Sequence, residues 1–132
     1  MTIDKIEALM TELSLPWEMV IPGMWTIRDE KHPQIVISRE KSEKKNTYLL
    51  KFLVFICDVP VNAEPRFFKE FLKLNFLVAH GTFAMESMNE MSFMDTLEME
   101  NLDSNEFKAT LDAMRQAPRL FEERYDIGSF TF

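Results

Sequence analysis

Few side chains in this sequence are of types that carry chemistry, and their spacing argues against most of it. The two histidines, His32 and His80, stand far apart, and neither lies at metal-ligand spacing from the other or from Cys57. His32 precedes a proline. His80 closes an apolar helical segment, where a protonated imidazole gains from the helix dipole. Cys57 is the single cysteine, so no intrachain disulfide can form. It follows Phe52-Leu53-Val54-Phe55-Ile56 with no cation beside it, which reads as a buried, inert thiol rather than a nucleophile. Acidic residues crowd the stretch from Glu86 to Glu106, with no Lys or Arg between Lys73 and Lys108. Paired carboxylates can serve acid–base work or bind Mg²⁺ or Ca²⁺. Here, however, Glu86, Glu98 and Glu100 alternate with apolar residues, as the solvated face of a strand does. Asp95 breaks that pattern by falling on the side of Phe93 and Leu97. It requires a bulge, an edge position or a hydrogen-bond donor. No G-x-S-x-G, P-loop or G-x-G-x-x-G motif is present. No catalytic residue, metal ligand or cofactor is assigned, and an enzyme ranks last among the possible functions.

The elements that position these residues fit one domain over residues 1–132 with a single core. The net charge of −7 argues against a nucleic-acid backbone as partner, because phosphates need Lys and Arg to displace their counterions. Arg39, Lys41, Lys44 and Lys45 are too few, and too mixed with Glu40 and Glu43, to alter that. They read as a soluble hairpin loop. The N-terminus has no basic region followed by an apolar one, so the expectation is no signal peptide and a cytoplasmic location. The apolar run from Leu49 to Cys57 is broken by Lys51 and too short to cross a bilayer, so no membrane association is expected. With only 3 glycines, tight turns and phosphate-cradling loops have little to build with, whereas the 10 methionines are an excess for this length.

In chain order, Ile3, Ile6, Leu9, Met10 and Leu13 form a helical stripe, capped by Thr2 or Asp4 and ended by Pro16. Trp17, Met19 and Ile21 alternate as a strand. Pro22-Gly23 interrupts it with a bend or bulge, and Trp25 and Ile27 resume it. Ile35 and Ile37 mark the next strand. Thr47 to Cys57 is the longest and most apolar strand; its near-continuous character predicts burial on both faces and a central place in the sheet. Pro65 suits the first turn of a helix that carries Phe68, Phe71, Leu72 and Leu74 or Asn75, with Phe67 and Leu77 widening the stripe. That helix should stop before Gly81, which can take a left-handed cap. A hairpin follows, with Phe83 and Met85 on one strand and Phe93, Leu97 and Met99 on the other. Asn89 is the turn residue best suited to a positive φ. Asp103 and Glu106 open a last helix through Phe107, Leu111, Met114, Phe121 and Tyr125, which Pro118 should kink or split. Ile127, Phe130 and Phe132 make an apolar tail of the kind that docks on its own domain or on a partner. The fold class is therefore α+β: an antiparallel sheet of about five strands with helices packed on it, in the order α-β-β-β-α-β-β-α.

The run Leu72-Lys73-Leu74-Asn75, then Gly81-Thr82-Phe83, a hairpin, and Leu102-Asp103 opening the last helix resembles the YbjN-like family. That family shares its fold with class I chaperones of bacterial type III secretion. The likeness is sharpest from Phe67 to Tyr125. Family members often carry Asp or Gly in the hairpin turn, where this chain has Met88-Asn89-Glu90. The resemblance implies a binding module that holds an extended segment of a client protein, and strand addition to a sheet edge is a general physical mode for this. It also implies a homodimer paired through the central helix. The wide apolar stripe of that helix points the same way, and Phe68 and Leu72 are the expected contacts. On the hairpin, Ala84, Met94, Thr96 and the turn residue Met88 form a candidate client surface, rimmed by Glu86, Glu90, Glu98 and Glu100. The alternative is a small-ligand- or metal-responsive regulator using a pocket between sheet and helices, since YbjN-like proteins have been described as candidate sensory or regulatory proteins.

Overall fold

The computed structural model describes residues 4–43 and 47–124. Its elements are α1 (Lys5–Glu12), β1 (Trp17–Ile21), β2 (Met24–Asp29), β3 (His32–Lys41), β4 (Tyr48–Asp58), α2 (Pro65–Asn75), β5 (Thr82–Ser87), β6 (Glu90–Glu98) and α3 (Ser104–Arg124). The six strands form one antiparallel sheet in the order β1-β2-β3-β4-β6-β5. The α+β class therefore holds with one more strand than the sequence pattern indicates. The extra strand arises at Pro22-Gly23, which makes a full hairpin turn rather than a bend within one strand. Gly23 has φ +86°, a conformation that L side chains resist.

Strand alternation sends one set of side chains to the helices. Aligned across the ladder are Trp25 and Ile27, Ile35 and Ile37, Phe52 and Val54, then Phe93 and Phe83, all buried. The helices cover this face with Ile6 and Met10, with Phe67, Phe71 and Leu74, and with Phe107, Leu111, Met114 and Phe121. Aromatic packing joins the layers: Phe107 stands edge-on to Phe52 at 5.3 Å, and Phe71 stacks on Phe121 at 5.5 Å.

Polar ties fix where the helices sit. Asp4 is the N-cap of α1, accepting from the N–H groups of Ile6 and Glu7, and it also receives the guanidinium of Arg39 at 2.7 Å. Arg39 lies over the Trp25 ring at 5.5 Å, so α1 is tied to β3 and, through Arg39, to β2. Burial alone would raise the Asp4 carboxyl. The bond from Arg39, the Ile6 N–H and the Arg39 charge outweigh it and hold the group below the usual carboxylate range. At the opposite end of the sheet, Asp29 meets His32 at 3.1 Å and Arg115 of α3 at 3.7 Å.

Several local expectations change in the folded chain. α2 ends at Asn75, so His80 is an exposed loop residue and not a helix-end partner, and Gly81 does not cap the helix. The positive φ of Gly81, +79°, instead serves the entry into β5. Asn89 has no positive φ, because the bulge between Ala84 and Ser87 supplies the twist that the turn would otherwise provide. Pro118 does not split α3, which runs unbroken from Ser104 to Arg124. Asp103 does cap that helix, accepting from the Glu106 N–H at 2.8 Å. Asp95 finds its donor locally, in the N–H of Thr96 at 2.8 Å. Thr2, Ile3, Lys44, Lys45 and the tail lie outside the described residues, as does Tyr125.

Candidate protein-binding face

β4 is central, as its apolar sequence predicts, but only one of its faces is buried. Leu50, Phe52 and Val54 point to the helices, whereas Leu49, Lys51 and Leu53 are only half-buried and Phe55 is 47% exposed. The two-sided apolar pattern is correct; the second side faces outward. Register assembles that outer face. Val36 stands opposite Leu53, Leu53 opposite Met94, and Met94 opposite Thr82. One row along, Phe55 stands opposite Ser92 and Ser92 opposite Ala84. Val36, Leu53, Phe55 and Met94 therefore make a contiguous apolar surface across three strands, and no described helix packs on it.

The face is concave. Bulges at Phe55/Cys57 and at Ala84/Ser87 coil the β5–β6 hairpin, and Glu86 of β5 approaches Lys51 of β4 at 3.4 Å. A cleft of about 380 Å³ results, floored by Val36 and Leu53 and walled by the Ile21–Met24 turn on one side and by Lys51 and Glu86 on the other. Beside it lies the edge strand β1, whose Met19, Val20 and Ile21 are each more than half exposed and which, among the described strands, pairs only with β2. Such an edge offers unpaired backbone groups to an added strand.

The residues expected on the hairpin surface divide. Met94 and Ala84 are half-buried members of the outer face, and Thr96 is exposed one row away, opposite Lys51. Met88 is 87% exposed at the turn. Glu86, Glu90, Glu98 and Glu100 are all exposed. Hairpin pattern alone missed Val36, Leu53 and Phe55. The signal for them was the outward half of β4, which carries apolar groups where a solvated strand face would carry polar ones.

A second apolar surface lies on α2. Phe67, Phe71 and Leu74 are buried, leaving Phe68, Leu72 and Phe76 as a ridge at i, i+4, i+8. Phe68 is half-buried, packed edge-on to Phe67 at 5.2 Å, but Leu72 is 66% and Phe76 94% exposed.

No group of three or more His, Cys, Asp or Glu side chains converges among the described residues, and no described helix is long and apolar enough to cross a membrane. Burial, with a smaller contribution from the Asp58 charge, pushes the Cys57 thiol up to about 11. At pH 8 its thiolate fraction should then be about a hundredfold below that of an ordinary cysteine. Labelling of the folded protein by a disulfide reagent should be slower by about that factor and should accelerate about tenfold per pH unit toward 11. Equal rates for folded and urea-unfolded protein would show that the thiol is accessible and unperturbed.

Comparison with known proteins places this architecture. Among solved structures, a chain of the heterodimeric ExoU–SpcU complex from the type III secretion system of Pseudomonas aeruginosa superposes with a TM-score of 0.65. It is 16% identical, and the match covers 87% of this chain and 93% of that one. YbjN from E. coli gives a TM-score of 0.61 at 12% identity, over 93% of this chain and 90% of that one. No curated protein matches by sequence. At these identities the structural likeness establishes the fold. The CesT_Tir_1 family model matches residues 24–121, from β2 through nearly all of α3. With its family pattern running over most of its length and its fold shared with both structures, the chain belongs to CesT_Tir_1, a family of type III secretion chaperones.

Proposed function

We propose that this protein is a non-enzymatic binding module that holds an extended segment of a client polypeptide in the cytoplasm, against the outer face of its sheet. The observation that carries this reading is the open apolar surface of Val36, Leu53, Phe55 and Met94 on the central strands. A monomeric domain gains nothing from leaving such a surface in water, and a contiguous apolar patch with a polar rim is the usual mark of a protein-binding site. The edge of β1 gives the client main-chain partners, while the cleft receives alternate side chains. Exposed Glu86, Glu90 and Glu98 around the face favour basic residues flanking the apolar ones. Membership in a chaperone family and the fold shared with a secretion-system complex support the same direction.

We also propose that two copies pair through the α2 ridge, with Leu72 and Phe76 at the centre and Phe68 behind them. This surface lies on the helical side of the domain, so pairing leaves the outer sheet face free for a client.

Replacing Met94 with lysine tests the client site. The side chain is half-buried on the open face, and a lysine stem can cover Leu53 while its amine reaches solvent among the glutamates. Folding should be nearly unchanged. Capture of a client recovered stoichiometrically by the wild-type protein in a pull-down from native lysate should weaken by about 1 kcal/mol or more, at least fivefold. Unfolding of Met94→Lys would make Met94 a core residue and remove the proposed surface. Recovery of no stoichiometric protein by the wild type under mild salt would count against client holding itself.

A further inference from the structure

A groove lies beside the α2 ridge on the helical side of the molecule. It runs between the segment after α2 and the flank of α3, with a volume of about 620 Å³. Its floor is apolar: Val78, Phe93, Ala113, Ala117 and Leu120. Space of this size takes a few large side chains. Phe76, which ends the ridge, immediately precedes the stretch from Leu77 to His80 that forms one wall, and it is 94% exposed. The chain thus carries an apolar knob directly beside an apolar hole, and its own knob does not fill it.

Area, charge and symmetry all fit a second copy of this chain as the occupant. An aromatic side chain buries about 150–250 Å², so Phe76 with partly exposed Leu72 and half-buried Phe68 supplies only about half of the roughly 800 Å² that each partner of a stable pair buries. A pair held by the ridge needs adjoining apolar surface, and the groove with its exposed wall residue Leu77 is that surface. Charge runs the same way. In a chain of net charge −7, α2 exposes Arg66, Lys69 and Lys73, with Glu70 bound to Lys73 at 3.4 Å. The groove rim on α3 exposes Asp112 and Glu123 against one arginine, Arg119. Opposite signs on knob and rim favour docking one on the other. A two-fold contact also needs a patch that complements itself, and a knob and a hole side by side meet that requirement. We infer that Phe76 of each copy seats in the groove of the other, over Ala113 and Ala117, with Lys69 and Lys73 facing Asp112 and Glu123. This rests on the pairing through α2 proposed above and makes α3 the second half of the interface.

The test is isotope-filtered NMR on mixed dimers of the full chain, one copy methyl-labelled and the other unlabelled. Ring protons of the unlabelled copy should give nuclear Overhauser effects to the Ala113, Ala117 and Leu120 methyls of the labelled one. Phe76→Leu in the unlabelled copy should remove them. Independently, Asp112→Lys combined with Glu123→Lys alters only exposed positions and should leave the monomer folded. It should raise the dimer dissociation constant at least tenfold at low salt and less at high salt. Adding Lys69→Glu and Lys73→Glu should restore pairing. Wild-type protein that stays at 15.6 kDa in light scattering removes the α2 pairing and this inference with it. A dimer with contacts between the two α2 ridges, but none from Phe76 to the groove methyls, keeps the pairing and overturns the inference alone. So do groove contacts made only within one copy, or a small molecule released from the groove on unfolding.

Discussion

Gly81→Ala is expected to destabilise the domain by about 2–5 kcal/mol, whereas Gly23→Ala should cost about 1–2 kcal/mol. The two glycines make a controlled pair. Both have a positive φ of similar size, +79° and +86°, so the conformational cost of adding a Cβ is comparable. Their surroundings differ. A Cβ at Gly23 meets nothing within 4 Å, but one at Gly81 would lie 2.5 Å from the Phe93 ring and 2.9 Å from the Met94 carbonyl oxygen. Phe93 is buried, with Val54 and Phe83 beside it on the ladder, so clearing the Cβ requires its ring to leave a packed position. The excess loss at Gly81 is the steric term, read from urea midpoints of the two variants. Equal losses would mean that the β5 entry is free to move away from Phe93.

That close approach explains why the stretch around Gly81 is distinctive. The chain leaves α2 at Asn75, and the Asn75 side chain clamps β5 from its free edge. Its Oδ1 accepts from the Phe83 N–H at 2.6 Å and its Nδ2 donates to the Phe83 carbonyl at 3.2 Å. An amide side chain thus supplies both bonds that a neighbouring strand would make. Asn75, Gly81 and Phe83 set the hairpin against α2 as a unit. Their spacing carries the family resemblance because each has a geometric task that few other residues can perform.

Sequence periodicity locates α1 and α3 and their buried faces, and it locates α2 while misplacing part of its stripe. The buried positions of α1 and α3 fall within the helical pattern, and β4 is central as its length and apolar content require, but in α2 the buried line is Phe67, Phe71 and Leu74, with Leu72 and Leu77 of the expected stripe exposed. Periodicity was insufficient where two physical causes give the same letters. An apolar residue on both sides of a strand signals either burial twice or burial once beside a binding face, and Leu53 and Phe55 belong to the second case. Pro22-Gly23 can bend a strand or end it; only pairing of Trp17 with Ile27 and Met19 with Trp25 decides for a hairpin. Asn89 could adopt a positive φ, but a bulge three residues earlier removed the need. Asp95 requires a bulge, an edge position or a donor, and of these the folded chain supplies a donor in the N–H of Thr96. Pro118 is tolerated inside α3 because it is buried in the packed layer, where tertiary contacts outweigh the loss of one helical hydrogen bond.

Leu72→Asp is expected to convert a dimer into a monomer without unfolding it. Leu72 is 66% exposed in the isolated chain, on the side of α2 away from Phe67, Phe71 and Leu74. A carboxylate there keeps its water, so the folded monomer should lose no more than about 0.5 kcal/mol, as for other surface substitutions. Across a paired helix the balance reverses. Each unpaired charge removed from water costs about 3–5 kcal/mol, and a two-fold axis brings in one from each copy. The dissociation constant should rise by more than about a hundredfold, since every 1.4 kcal/mol is a factor of ten. Phe68→Asp cannot replace this variant, because Phe68 is half-buried against Phe67 and the change would damage the fold along with any interface. Light scattering at micromolar concentration separates the outcomes. Wild-type protein should run at twice the 15.6 kDa chain mass and Leu72→Asp at the chain mass, with the same thermal transition in dilute solution. A wild type that remains at 15.6 kDa removes the dimer. A Leu72→Asp protein that stays dimeric moves the interface off α2, away from Phe76 as well as Leu72.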